Sequence, residues 1–154
     1  MKRAAVTGFI VLGLALAPVL ANEMQEAIRA NNSARGQELI RAGADLAALN
    51  DILDPPLNQA VIENRPEIVR ILVEAGADVN LANPMGDTPL HQAARYDRPD
   101  LVRYLLDHQV DFNARNKSNE TPRDLAAFYK NKPILKMLDE VFNQWYATVN
   151  ALEE

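Results

Sequence analysis

A repeat of 33 residues constrains the fold of this chain more than any other feature of its sequence. The segment LNQAVIENRPEIVRILVEAGADVN (57–80) aligns with LHQAARYDRPDLVRYLLDHQVDFN (90–113) at that offset, and weaker copies precede and follow the pair. A period of this length is typical of stacked units that bury their apolar faces against their neighbours. About three units are needed for a continuous core, and the aligned columns predict four.

Each copy has the pattern of a helix, a turn and a second helix. Thr88 is placed to cap the first helix, Pro89 suits its first turn, and His91 faces back toward the cap. Thr121 and Asp124 repeat this arrangement 33 residues later. We therefore predict that the first helix of each of these two copies begins at its Thr-Pro pair.

Turn residues recur in the same register. The turn between the helices falls on a column whose first three members tolerate a left-handed backbone: Asn31, Asn64, Asp97 and Lys130. Gly43 and Gly76 are predicted to end second helices in that conformation, and Gln109 takes the column in the third unit as a local weak point. After Asn80 the chain enters a turn-forming segment, 83–87, that leads to the next Thr-Pro pair.

The segment GDTPLHQAARYDRPDLVRYLLDHQVDFN (86–113) resembles an ankyrin repeat, whose pattern is G-x-T-P-L-H-x-A-A, a hydrophobic helix, and G-A-D-x-N. The resemblance implies an all-α solenoid of about four helix-turn-helix units, with β-turn fingers and an extended C-terminal helix. The units are expected at about 22–49, 50–82, 83–115 and 116–148. The departures are local: Asp54-Pro55-Pro56 in place of Thr-Pro, Leu53 in place of the finger glycine, and Arg35 and Gly36, which weaken the first outer helix.

The first 21 residues have the three parts of a cleavable secretory signal. Lys2 and Arg3 form a positive start, residues 6–17 are apolar apart from one threonine and two glycines, and Pro18 is expected to end any helix. We expect cleavage after Ala21, and the short positive segment favours a bacterial periplasm. The alternative is a membrane anchor, but a spanning helix needs about 20 apolar residues, more than this segment provides.

Charge and composition limit the partners and the chemistry. The net charge is −5, and cleavage after Ala21 would make it −7 because it removes two of the positive charges. Such a body repels phosphate backbones and anionic lipid headgroups, so we expect no nucleic-acid partner and no stable membrane association after cleavage. The absence of cysteine excludes disulfides, thiol nucleophiles and cysteine zinc sites.

Few groups in the sequence are suited to catalysis. His91 belongs to the Thr-Pro-Leu-His pattern, and the ankyrin resemblance implies that it hydrogen-bonds the threonine and neighbouring backbone. His108 lies late on a second helix and is predicted to be solvated. No spacing of His, Asp and Glu suggests a metal site, and no glycine-rich phosphate loop is present. We therefore expect no enzyme activity, no cofactor and no metal.

The resemblance implies that a partner protein binds a concave face made by the fingers and the first helices. Family positions that vary with the partner fall on twelve residues: Ile52, Asp54, Ile62, Glu63, Met85, Asp87, Arg95, Tyr96, Lys117, Glu120, Phe128 and Tyr129. Tyr96 and Tyr129 share a column, so we expect them side by side. Aromatic and Met side chains flanked by carboxylates are typical of an interface, and the acidic fringe favours a basic or mixed partner surface.

Apolar residues recur at helical spacing from Ile134 to Leu152, past the point where a second helix of a repeat ordinarily stops. Two interpretations stay open. The stripe is either an extended end cap folded over the last unit, or a docking stripe for a partner or a second copy.

These features predict a non-catalytic protein–protein interaction module in the periplasm, either monomeric or in a hetero-complex. Resemblance to bacterial periplasmic ankyrin proteins implies a protective or supporting partner of a periplasmic enzyme, including roles in oxidative-stress tolerance. Two alternatives remain: an immunity protein that neutralises a toxic periplasmic effector, and an exported effector that acts in a host cell.

Overall fold

The computed structural model describes residues 6–152, with side chains from residue 17 onward, and the regular structure within that range is helical throughout. The helices it contains are α1 (Val6–Arg29), α2 (Ser33–Arg41), α3 (Pro56–Ile62), α4 (Pro66–Glu74), α5 (Pro89–Arg95), α6 (Pro99–Leu106), α7 (Pro122–Phe128) and α8 (Lys132–Asn150). The predicted all-α class, built from helix-turn-helix units, is confirmed.

The chain divides into two units, Met1–Ala77 and Asp78–Glu154, each with its own core. In the first unit, α1 packs against α2 and α3, and α4 packs against both as well. The side chains that fill this core are Met24, Ala27, Ile28, Leu39, Leu57, Ala60, Val61, Ile68, Val69 and Leu72. Fully burying a large aliphatic side chain stabilises a fold by about 1.5–3 kcal/mol, so these residues supply the main driving force for this unit.

The second unit repeats the same plan. The inner helices α5 and α7 pack against each other, α6 packs on α5, and α8 packs on both α7 and α6. Its core consists of Leu90, Ala93, Ala94, Leu101, Val102, Leu105, Leu125, Ala126, Ile134 and Leu138. The small Ala93 and Ala126 at equivalent positions allow α5 and α7 to approach closely.

Two predicted helix starts are confirmed as reciprocal caps. The Thr88 hydroxyl accepts from the His91 backbone N–H at 3.4 Å, and the Thr88 N–H donates to His91 Nδ1 at 3.2 Å. Thr121 and Asp124 form the same box at the start of α7. Each box satisfies backbone N–H groups that the first turn of a helix leaves without partners.

The turns also have the predicted conformation. Every member of the column between helices is left-handed, with φ of 52° to 60° at Asn31, Asn64, Asp97 and Lys130. Gly43 and Gly76 follow their helices with φ of 87° and 92°, and Gln109 adopts φ 55° in the same column. The 33-residue register therefore sets the backbone even where the residue is a poor choice for it.

The expectation that Pro18 ends any helix was wrong, because α1 runs through this proline from Val6 to Arg29. A proline removes one helical hydrogen bond and clashes with the preceding turn, but it does not have to end a helix. Ala17, Pro18 and Val19 are exposed, and burial along α1 begins at Met24. No helix within residues 6–152 combines the length and the hydropathy that crossing a membrane requires.

Candidate functional site

The finger of the first unit is held by one asparagine. Asn50 Oδ1 accepts from the backbone N–H of Ile52 at 3.0 Å and of Asp54 at 2.9 Å. This arrangement leaves the Ile52 side chain 69% exposed at the finger tip and buries Asp54. Asp54 was predicted to contact a partner; in this structure the residue is buried, so little of it is accessible, and the contact stays a prediction.

Two further predicted positions of the first unit lie at the end of α3. Ile62 and Glu63 are half-buried there. The Glu63 carboxylate accepts from Gln59 Nε2 at 2.9 Å and lies 3.6 Å from a guanidinium nitrogen of Arg65. Its charge is thus partly neutralised within the unit, which leaves Ile52 as the most exposed of the predicted contact residues here.

The first finger of the second unit follows the same design. Asn83 Oδ1 accepts from the backbone N–H of Met85 and of Asp87, each at 3.0 Å. Met85 is exposed at the tip, and its carbonyl accepts from the Lys117 N–H of the next finger at 3.0 Å. Gly86 lies between them with φ 81°, and a Cβ placed on it would meet the Lys117 nitrogen at 2.9 Å. Only glycine fits here without displacing the neighbouring finger.

Asp87, predicted as a partner contact, has a structural role in this fold, and the contact stays a prediction. The side chain is buried. One carboxylate oxygen accepts from Arg95 Nη2 at 2.7 Å, and the other accepts from Asn116 Nδ2 at 2.8 Å. Burying a carboxylate is costly unless it is paired and hydrogen-bonded, and both conditions hold here. Asp87 therefore joins its own finger to α5 and to the next finger.

In the last finger an asparagine again holds the backbone, as in the two fingers before it. Asn116 Oδ1 accepts from the backbone N–H of Ser118 at 3.0 Å and of Glu120 at 2.9 Å. The Glu120 carboxylate in turn accepts from Asn116 Nδ2 at 3.1 Å, whereas Lys117 is exposed. Of the predicted acidic contact residues, Asp54 and Asp87 are buried, and Glu63 and Glu120 are half-buried and hydrogen-bonded within the fold; the acidic fringe stays a prediction.

Hydrogen bonds at both ends of α5 and α7 place these helices side by side and in parallel. His91 Nε2 donates to the Glu120 carbonyl just before α7, at 3.0 Å. Asn131 Nδ2, just after α7, donates to the Ala94 carbonyl near the end of α5, at 2.6 Å. The carboxyl ends of the two helices consequently lie at the same end of the pair.

Those carboxyl ends carry the exposed aromatic side chains of the second unit. Tyr96 and Tyr129 follow α5 and α7 and are each 44% exposed, and Phe128 is 73% exposed. The Phe128 and Tyr129 rings meet edge to face with their centroids 5.1 Å apart. No ring contact joins Tyr96 to Tyr129 in the part of the chain described. We call Met85, Tyr96, Phe128 and Tyr129 the finger face.

The two histidines serve the fold. His91 is buried, and desolvation by that burial lowers the pKa of its imidazole. Because Nε2 bonds a carbonyl, it must carry the hydrogen, so Nδ1 accepts from the Thr88 N–H. His108 is half-buried rather than solvated: Nδ1 lies 2.6 Å from the Tyr104 carbonyl, and the rings of the two residues are 4.2 Å apart.

The remaining polar clusters have structural roles. Hydrogen bonds from the Thr121 backbone N–H and hydroxyl lower the pKa of the Asp124 carboxyl at the start of α7. Asp45, Asp78 and Asp111 each accept from the backbone N–H two residues ahead and so stabilise a turn. Among residues 6–152, no group of three His, Asp or Glu side chains is placed to hold a metal ion.

The asparagine column at 50, 83 and 116 was missed by the sequence analysis, although its signal is the same 33-residue spacing. Each member supplies an acceptor to the N–H groups two and four residues ahead. These side chains set the finger shape on which the exposed tip residues depend.

Comparison with known proteins agrees with the repeat. A family model described as ankyrin repeats (3 copies) matches residues 24–116 and 57–144. No curated protein matches the chain.

Proposed function

The chain belongs to the ankyrin-repeat family, and from that membership we propose that it binds a partner protein through its fingers and inner helices as a supporting or protective partner of a periplasmic enzyme. Ankyrin repeats are protein–protein interaction modules and are generally non-catalytic.

The exposure of the finger face is the observation on which the proposal of partner binding rests. Three aromatic rings and a methionine lie exposed at the finger tip and at the carboxyl ends of two packed helices. Tyr side chains and other aromatics are enriched at the centres of protein interfaces because they bury a large area at a low cost in side-chain entropy. The carboxylates of Asp87 and Glu120 are already engaged within the fold, so partner binding does not require these two groups to be desolvated again.

The charged groups near the finger face indicate which kind of partner surface it would bind. Asp87 pairs with Arg95, and Glu120 accepts from Asn116, whereas Lys117 is exposed. A basic partner surface would find no free carboxylate among the predicted contact residues of this unit. We infer an apolar partner patch with a carboxylate opposite Lys117 at its edge.

Cleavage after Ala21, which the periplasmic part of the proposal requires, is compatible with the packing of α1. Residues 17–22 of α1 are exposed or half-buried, and burial begins at Met24. Cleavage after Ala21 would therefore leave every buried side chain of α1 from residue 17 onward in place. Intact mass measurement of protein from an osmotic-shock fraction is expected to give a chain that begins at Asn22, and an uncleaved chain in the cytosolic fraction would contradict the localisation.

Site-specific photocrosslinking tests the binding face. A photoreactive phenylalanine analogue at Phe128 is expected to capture one dominant protein in the producing cell, while the same analogue at the exposed Asp100 on α6 captures none. Equal capture at both positions would remove the finger face from the proposal. The identity of the captured protein distinguishes the possible roles. Capture of a periplasmic enzyme would support the proposal. Capture of a secreted toxin would indicate an immunity protein instead, and capture of a host protein would indicate an effector.

A further inference from the structure

The first half of α8 packs against the second unit, whereas the second half packs against little of it. Ile134 and Leu138 in its first turns are buried against the second unit. Beyond Leu138 no residue of the helix is buried, although α8 continues for three more turns to Asn150. The end-cap interpretation thus accounts for the first half of the helix and leaves the second half with an exposed face.

That exposed face consists of aromatic rings held in a fixed arrangement. Phe142 lies 5.9 Å from Trp145 and 6.3 Å from Tyr146 between ring centroids, and Phe112 meets Trp145 edge to face at 6.2 Å. These contacts order the rings without covering them: Phe142 is 37%, Trp145 44% and Tyr146 55% exposed. Ordered rings that face water form a docking surface with little side-chain entropy left to lose on binding.

The spacing of the apolar residues matches a seam between two helices. Phe142, Trp145 and Val149 follow one another on α8 at intervals of three and four residues, which is the heptad pattern of helices that pack side by side. Leu152 follows three residues later, in the turn that ends the helix. We call these four residues, together with Tyr146, the α8 seam.

The absence of charge around the seam bears on which kind of molecule covers it. Residues 141–152 contain no charged side chain, and this is the longest uncharged stretch after residue 22 in a chain that is 24% charged. A partner recognised by its charge would find nothing to pair with on this segment. A second copy, by contrast, brings the segment against itself, and within residues 141–152 no like charges meet. The acidic pairs that flank the segment, at 139–140 and 153–154, repel their own copies and keep such an association weak.

We propose that the α8 seam is a self-association surface, covered by the α8 seam of a second copy of this chain in a weak and reversible dimer. This departs from the monomer or hetero-complex that the sequence led us to expect, and the reason is the exposure of the rings. The three rings, at 37–55% exposure, and the more exposed Leu152 would together bury on the order of 400 Å² per copy. The total of about 800 Å² lies below the standard interface size, so the dimer forms at high micromolar concentration and dissociates on dilution.

The experiment uses the purified protein over a range of concentrations. Sedimentation equilibrium is expected to show an average mass that rises from one copy toward two as concentration increases. Trp145 is the only tryptophan in the chain, so its fluorescence emission reports the seam without a label and should shift to shorter wavelength over the same range. Tyr146→Lys, and separately Leu152→Lys, should raise the dissociation constant by at least about tenfold, because each places like charges at the seam.

Ala147→Lys is the matched control. It adds the same charge to the same helix on the side away from the seam, since residue 147 lies roughly 170° from the seam centre at 3.6 residues per turn. This variant should dimerise as the unsubstituted chain does. A mass of one copy at every concentration would overturn the proposal, as would association that both seam variants leave intact. A Trp145 shift that appears only with zwitterionic lipid vesicles would overturn it in favour of a lipid surface. Because the finger face takes no part, these outcomes leave the proposed partner binding untouched.

Discussion

His91 Nε2 donates to the Glu120 carbonyl at 3.0 Å, so an imidazole in α5 fixes the position of the finger that precedes α7. Its Nδ1 accepts from the Thr88 N–H at 3.2 Å. One buried side chain therefore joins its own helix start to the next repeat. Because both ring nitrogens are committed, the neutral ring is the form that fits.

Stability is expected to fall as the pH drops below 6.5. The folded state lowers the pKa of His91 from the value of 6.5 by burying it, so in acid the unfolded chain binds a proton that the folded chain does not. The stabilisation is complete above pH 6.5 and is lost progressively as the pH falls toward the folded-state pKa. Urea unfolding followed by circular dichroism between pH 7.5 and about 5 measures this dependence.

Imidazole NMR shifts provide the check on the assignment. They should show the neutral form of His91 predominating at pH 6.5, and His91→Gln should flatten its part of the pH profile. A His91 ring that titrates at or above 6.5 in the folded protein would contradict the explanation.

Gly86→Ala is expected to destabilise the second unit by at least about 1–2 kcal/mol, the cost of a left-handed backbone for a residue with a Cβ. Here φ is 81°, and the added Cβ would also lie 2.9 Å from the Lys117 backbone nitrogen, which cannot move without breaking its bond to Met85. The free energy of unfolding from urea titration measures the loss. A change below a few tenths of a kcal/mol would mean that neighbouring fingers are not held together at this point.

Leu53 occupies the same column as Gly86, and Leu53→Asn should stabilise the protein by about 1 kcal/mol. Leu53 has φ 64° and an exposed side chain, and Asn119 adopts φ 63° in the equivalent position of the last finger. Asn tolerates the left-handed region better than Leu, and little burial is lost. Leu49→Asn, at an exposed position without positive φ, is the control and should bring no gain. A lower stability for Leu53→Asn would show that Leu53 makes contacts that outweigh its strain.

Gly36→Ala should stabilise the protein, in contrast to Gly86→Ala. Gly36 lies inside α2, and a Cβ placed on it has no neighbouring atom within 4 Å. Alanine in a helix interior is favoured over glycine by about 0.5–1 kcal/mol, so the midpoint of thermal unfolding should rise. A lower midpoint would indicate that α2 must bend or shift at this position.

The 33-residue period was enough to predict the helix pairs, the Thr88 and Thr121 caps and the left-handed turn column, because each depends on residues close together in sequence. It could also have identified the finger asparagines, since Asn83 and Asn116 act on N–H groups two and four residues ahead. The burial of Asp87 could not be predicted in the same way. Its partner Asn116 is 29 residues away, and only the folded chain places this amide against the carboxylate.

The exposed aromatic residues also differ in how far the sequence could predict their exposure. Phe128 and Tyr129 were expected at a surface because they fall on ankyrin-family positions that vary with the partner. The length of α8 was visible as a stripe of apolar residues, but which half of the stripe is buried depends on where α6 and α7 stop supporting it. A periodic pattern shows that a face is apolar, and only packing shows whether that face is covered.

The affinity for the captured partner tests the central claim most directly. Isothermal titration of the partner with the Tyr96→Ala/Tyr129→Ala variant should show binding weakened by at least about 30-fold, because two exposed aromatic anchors are removed at once. The Asp100→Ala/Arg103→Ala variant, changed on the exposed side of α6, should bind as the unsubstituted protein does. If the tyrosine variant keeps full affinity while its circular dichroism is unchanged, the finger face is not where this protein binds its partner.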